Sequence, residues 1–153
     1  MRLVARSPEE TQDIAGRLAR RSRPGDVLCL RGPLGSGKTT FVRGFARALG
    51  CRKGVASPSF GLVREYRAAG RRICHADLFR VAGDEIADLG LEEYLLEGRW
   101  TCLIEWPQAA RALLPDDRLD IRFLSLRRGA ARSLRISGCG RRAMRLLTGA
   151  GLP

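Results

Sequence analysis

The sequence predicts an α/β fold, a three-layer sandwich around a mixed sheet that includes antiparallel strands. Three observations lead there. Helical apolar spacing alternates with short apolar strands in the N-terminal third. One of those strands passes into a helix through a glycine-rich loop. Two later pairs of strand-like segments are joined by short turns, the pattern of hairpins. At 153 residues the chain is expected to form a single domain over 1–153, because one core is what that length buries.

The elements follow in order. Ser7-Pro8-Glu9-Glu10 reads as a capping box with proline at the first helical position, and Ile14, Ala15 and Leu18 continue the helix to Arg21. Pro24-Gly25-Asp26 is a turn. Val27 to Leu30 is a short buried strand, and Gly32 to Thr39 is the glycine-rich loop. Thr40 to Leu49 reads as a helix, with Gly50 at its C-terminal cap. Phe60 to Arg67 and Arg71 to Leu78 are strands joined around Ala68-Ala69-Gly70. Residues 83–98 hold short acidic helical turns. Thr101 to Glu105 is an apolar strand ending at Trp106-Pro107, and Leu119 to Leu126 with Ser133 to Ser137 form a second hairpin around Gly129. A short helix near Arg142 to Leu147 completes the chain.

Hydrophobic residues at 44% and charged residues at 29% exclude a disordered chain. No run approaches the ~18 apolar residues of a membrane span, and Met1 to Glu10 has no apolar stretch of the kind a secretory signal carries. The expectation is a cytoplasmic protein without a membrane partner. Of the five cysteines, Cys29, Cys74 and Cys102 sit among apolar neighbours and no CxxC pair occurs, which points to buried thiols. The lone His75 has no partners at zinc-ligand spacing.

The net charge of +12 is the unusual number. Such an excess raises nucleic acid or another anionic partner, although 26 of the 28 basic residues are arginine, a bias that codon usage also produces. The excess is uneven. Residues 1–72 hold 16 basic and 5 acidic side chains, residues 73–120 hold 4 and 11, and residues 121–153 hold 8 and none.

Chemistry is carried by Gly32-Pro33-Leu34-Gly35-Ser36-Gly37-Lys38-Thr39, a full match to the Walker A pattern GxxxxGK[ST], with a strand before it and a helix after it. Glycines let the backbone curl and aim its N–H groups at phosphate oxygens, and the helix adds its positive N-terminal end. The cradle is expected to run over Gly35, Ser36, Gly37, Lys38, Thr39 and Thr40. Lys38 places a charge at the β- and γ-phosphates, and Thr39 offers a hydroxyl to Mg²⁺. A strand-end carboxylate should complete the metal side, and Asp77 and Glu105 are the candidates. Either can hold Mg²⁺ while the other orients the attacking water; Glu105 is favoured on the metal. The chain has no asparagine, hence no Asn-Lys-x-Asp guanine-reading loop, which favours ATP. The expected fold is therefore of the P-loop NTPase type.

Four blocks in series resemble the TsaE (YjeE-type) ATPase family. They are Leu30 to Gly44 around the loop, Val55-Ala56-Ser57-Pro58-Ser59-Phe60, His75-Ala76-Asp77-Leu78-Phe79-Arg80, and Ile104-Glu105-Trp106-Pro107. The resemblance implies a bacterial Mg²⁺-dependent ATPase. It would support threonylcarbamoylation of the adenosine beside the tRNA anticodon, with the partners TsaB and TsaD, and reach tRNA through that complex. Lys38, Asp77 and Glu105 are the expected catalytic residues; the resemblance implies that Lys38 binds phosphate, that Thr39 and Glu105 hold Mg²⁺, and that Ser59 and Asp77 occupy switch-like loops. It also places Thr11, Ser59, Trp106 and Arg132 beside the nucleotide. Ser59 stands where the family has threonine, and Phe79 where it has tyrosine, so one hydroxyl is kept and one is lost. A P-loop small-molecule or nucleoside kinase is the alternative, against which the chain length leaves little room for an acceptor pocket and lid. A nucleotide-gated binding module is the third reading.

Overall fold

The structure, a computed structural model, describes residues 1–51, 54–56, 58, 63–68, 70–126 and 131–152. Seven strands form one sheet: β1 (Arg2–Ala5), β2 (Val27–Arg31), β3 (Val63–Ala68), β4 (Arg71–Asp77), β5 (Thr101–Glu105), β6 (Arg118–Leu126) and β7 (Ala131–Cys139). Their order is β1-β7-β6-β2-β5-β4-β3. The four central strands β6, β2, β5 and β4 are parallel, while β3, β7 and β1 are antiparallel additions. This is the expected α/β mixed sheet.

Helices α1 (Pro8–Arg21), α2 (Lys38–Ala48) and α4 (Arg141–Gly149) cover one face. Their apolar sides bury Leu18, Phe41, Phe45 and Leu146 against Leu28, Leu103, Ile121 and Phe123 of the sheet. A 3₁₀ helix (Gly83–Leu89), α3 (Leu91–Leu96) and a turn over 107–113 cover the other face. They bury Ile86, Leu91 and Ala110 on Cys29, Cys74, Cys102 and Ile104. The alternation of strand side chains sends Leu28 and Leu30 to one core and Val27 and Cys29 to the other. That second covering layer packs on β4, β5 and β2. It leaves the outer face of β6, β7 and β1 exposed at Arg2, Val4, Arg122, Leu124 and Arg135.

Local details match the sequence closely. Ser7 caps α1 by accepting from the Glu10 amide at 3.2 Å, but the Glu10 carboxylate accepts from the Arg6 amide, at 2.8 Å, and so closes the box one residue early. α2 begins at Lys38, two residues before its expected start, because Gly37 in the left-handed region turns the loop straight into the helix. It ends as expected: Gly50 has φ 90°, and the amides of Gly50 and Cys51 return to the Arg47 and Ala46 carbonyls. α1 and α2 approach so closely at Gly44 that a Cβ there would meet the Gln12 backbone at 2.5 Å. The β6–β7 hairpin is present, with Gly129 outside the described residues. Phe60 to Leu62 of the first hairpin, and Ala69 of its turn, also lie outside them.

One strand was not anticipated. β1 is only four residues long and pairs antiparallel with β7, burying Leu3 and Ala5 while Arg2 and Val4 face outward. All five cysteines are free, and Cys29, Cys74 and Cys102 are buried as expected. Burial pushes the Cys29 thiol up to about 12, so it stays neutral. Among the described residues no helix is long and apolar enough to cross a membrane.

Candidate functional site

The glycine-rich loop leaves the C-terminal end of β2 in the middle of the sheet, between β6 and β5. This is where open α/β sheets place their ligands. Gly32 must be glycine: at φ 151° a Cβ would meet the Phe123 carbonyl at 2.7 Å and the Ser36 hydroxyl at 2.8 Å. A cleft of about 580 Å³ opens over the loop, bounded by Lys38, Thr39, Asp77, Phe79, Glu105 and Trp106.

Lys38 is the first residue of α2 and is 4% exposed. Its Nζ donates to the carbonyls of Gly32 at 2.9 Å and Pro33 at 3.0 Å, so the side chain folds back over its own loop. It also lies 4.3 Å from the centre of the Trp106 ring, a cation–π distance. Burial pushes the ammonium below its ordinary pKa, while Glu105 and then Asp77 pull it back up.

Glu105 and Asp77 end the neighbouring parallel strands β5 and β4 and are register partners. Both are buried. One oxygen of Glu105, Oε1, accepts from the Thr39 hydroxyl at 3.0 Å and lies 3.0 Å from His75 Nε2. Asp77 Oδ1 accepts from the Phe79 amide at 3.1 Å, which fixes the turn after β4. Trp106 follows Glu105 in the left-handed region, φ 55°, and its amide bonds the Leu30 carbonyl at 3.2 Å. That turn lays its ring against Phe79 at 4.9 Å between centroids, so the residue lacking the hydroxyl serves here as a packing surface.

A smaller cleft of about 150 Å³ lies on the other side of the loop, sharing Gly35, Gly37 and Thr40 with the first. Thr11 and Arg132 line it. Arg132 donates from Nε to the Ser36 carbonyl at 3.1 Å and from Nη2 to the Gly35 carbonyl at 3.3 Å, bracing the loop from β7. Thr11 is buried, its hydroxyl donating to the Ser7 carbonyl at 3.3 Å. Lys38, Thr39, Asp77, Glu105 and Trp106 therefore meet on one side of the loop, and Thr11 and Arg132 on the other. Ser59 lies outside the described residues.

The residue missed by sequence reasoning is His75. The sequence shows no partners for it at zinc-ligand spacing, and it enters otherwise only as the first residue of the His75 to Arg80 block, with no role of its own. Strand alternation, however, puts residues 75 and 77 on the same face of β4, and a polar side chain inside the run Ile73-Cys74-His75-Ala76 needed a partner. Fully buried, it finds Glu105 through Nε2, and its Nδ1 has no hydrogen-bond partner among the described residues.

The donor set suits a hard divalent cation: a hydroxyl and two carboxylates, all oxygen. The loop suits an oxyanion, since it holds a desolvated ammonium and the buried Ser36 hydroxyl, which has no partner among the described residues.

Strand, glycine-rich loop and helix at the centre of a mixed sheet, with two strand-end carboxylates beside the loop, define a P-loop protein. The TsaE family model, described as threonylcarbamoyl adenosine biosynthesis protein TsaE, matches residues 5–134. The tRNA threonylcarbamoyladenosine biosynthesis protein TsaE of Bacillus subtilis is 46% identical over 115 residues, 75% of this chain and 72% of the relative. Its counterpart in Streptomyces coelicolor is 36% identical over 116 residues, 73% and 77% of the two chains. The crystal structure of Bacillus subtilis YdiB superposes with a TM-score of 0.85 at 34% identity, covering 98% of this chain and 93% of that one. The chain belongs to the TsaE family of P-loop, ATPase-like proteins of tRNA threonylcarbamoyladenosine biosynthesis.

Proposed function

We propose that this protein is a cytoplasmic, single-domain, Mg²⁺-dependent ATPase. Its hydrolysis serves the threonylcarbamoylation of the adenosine next to the tRNA anticodon, together with TsaB and TsaD. The observation that carries the reading is the hydrogen-bonded line Thr39–Glu105–His75 beside Lys38. It sets a helix-start hydroxyl and a buried carboxylate 3.0 Å apart, the spacing at which two oxygens share one cation.

Thr39 and Glu105 are the residues that would hold Mg²⁺, which when bound neutralises charge on the β- and γ-phosphates. The amides from Gly35 to Thr40 and the start of α2 bind the phosphates. Lys38 exchanges the carbonyls of Gly32 and Pro33 for phosphate oxygens and stabilises the charge that develops as the γ-phosphoryl group leaves. Asp77 orients the attacking water. Trp106 and Phe79 wall the cleft and exclude bulk water. Thr11 and Arg132 line the smaller cleft, and Thr11 would stand near the base and Arg132 near the nucleotide.

The test is a reconstitution with TsaB, TsaD, a threonylcarbamoyl donor and tRNA, measuring ATP hydrolysis and modified tRNA together. Slow hydrolysis alone, a rise on adding the partners, and loss of both outputs with Lys38→Ala are expected. Wild-type levels of both outputs with Lys38→Ala would overturn the reading.

A further inference from the structure

The uncovered half of the sheet carries a feature the nucleotide site does not use. Arg2 is the register partner of Arg135, Arg135 of Arg122, and Arg122 of Arg31. Four arginines thus stand side by side across four neighbouring strands. Strands are ~4.8 Å apart, so the row is roughly 14 Å long. Directly opposed like charges weaken a sheet, and nothing in the core calls for this one. The one carboxylate on this face among the described residues is Asp120, already held by Arg31 at 3.0 Å and Arg118 at 3.1 Å. Arg2 bonds the Ser133 hydroxyl at 3.1 Å. Arg122 and Arg135 are exposed and form no ion pair among the described residues. A shallow cleft of about 350 Å³ lies between them, Arg31 and Ser137.

We infer that this arginine row is a docking surface for the phosphate backbone of a structured RNA. Guanidinium groups pair with phosphate through two parallel hydrogen bonds, and a row of them suits a strand of regularly spaced phosphates. The described part of the face has no aromatic side chain on which a base could stack, so it reads charge and shape and not sequence. A protein partner would call for a buried apolar centre, and here Val4 and Leu124 stand only at the margin of the row. That the RNA is tRNA rests on the proposed role in tRNA modification.

The experiment is binding of unmodified tRNA to the full chain, followed by fluorescence anisotropy across a series of salt concentrations. Arg122→Ala with Arg135→Ala is compared with Arg20→Ala with Arg21→Ala on the opposite layer. ATP binding and thermal melting verify that each variant is folded. The row variant should bind tRNA roughly tenfold more weakly at moderate salt, and its log–log salt slope should fall by about two, one per lost contact. The α1 variant should shift affinity by less than about threefold. Absent tRNA binding by the wild type, or equal binding by the row variant, overturns the inference. So does unchanged tRNA affinity with loss of the TsaB–TsaD interaction, which would assign the face to an acidic protein surface. Weakened tRNA binding in a chain whose Lys38→Ala variant still supports modification keeps the surface and removes the ATPase role.

Discussion

The parallel centre and the antiparallel flank of the sheet are built from the same chain by different rules. Strands β2 and β5 are buried on both faces nearly end to end, while β6, β7 and β1 turn apolar residues inward and arginines outward, with Val4 and Leu124 exposed beside them. In the centre, most buried polar side chains find protein partners: Thr39, His75 and Glu105 close on one another, and Lys38 on its loop, while the Ser36 hydroxyl and His75 Nδ1 have none among the described residues. On the flank, arginines line up with no such demand, because water satisfies them. Burial therefore sorts the chemistry. The charge proposed for catalysis sits where desolvation sharpens it, and the charge proposed for docking where solvent tolerates it.

Four substitutions test that contrast. Leu103→Ala, in the middle of β5 and fully buried, should cost about 3 kcal/mol of unfolding free energy in denaturant titration. Glu105→Gln keeps the shape of the central network but removes its charge. It should lower Mg²⁺-dependent ATP hydrolysis by roughly a hundredfold, with Mg²⁺-free nucleotide affinity changed by less than about threefold. Equal losses in both measurements would move the metal role away from Glu105.

Asp117→Ala tests the flank. The Asp117 carboxylate accepts from the amides of Arg142 at 3.0 Å and Ala143 at 2.9 Å, capping α4 from a distant loop because the local cap, Gly140, has no side chain. Those bonds hold its pKa below the usual value, the Arg142 amide foremost. Its contribution is thus fully present above the unfolded-state pKa and is lost as pH falls through the folded one. Melting should show about 1 kcal/mol of destabilisation at neutral pH, with wild type and variant converging in acid. Leu124→Ala, half-exposed on the outer face of β6, should stay within about 0.5 kcal/mol of wild type.

Much of this was legible in the residues. The loop carried its own signature in Gly32 to Thr39, and β5 was marked by a short apolar run ending in a carboxylate, so Lys38, Thr39 and Glu105 could be named together. β1 escaped because a four-residue strand has too little pattern to show; only its pairing with β7 gives it structure. His75 escaped for a related reason. Its role is defined by a carboxylate 30 residues away, and a one-dimensional reading placed it beside nothing. The arginine row was visible only as net charge, since the register that aligns Arg2, Arg135, Arg122 and Arg31 belongs to the sheet.

The chain contains just two lysines, Lys38 and Lys53, and the first is sealed into the start of α2 at 4% exposure. A lysine-specific protease can therefore cut at the phosphate loop only after that helix end has opened. The rate of scission between Lys38 and Thr39 becomes a direct clock of local opening at the loop. A phosphate-bearing ligand that draws the loop and its lysine together should slow that clock in proportion to its occupancy.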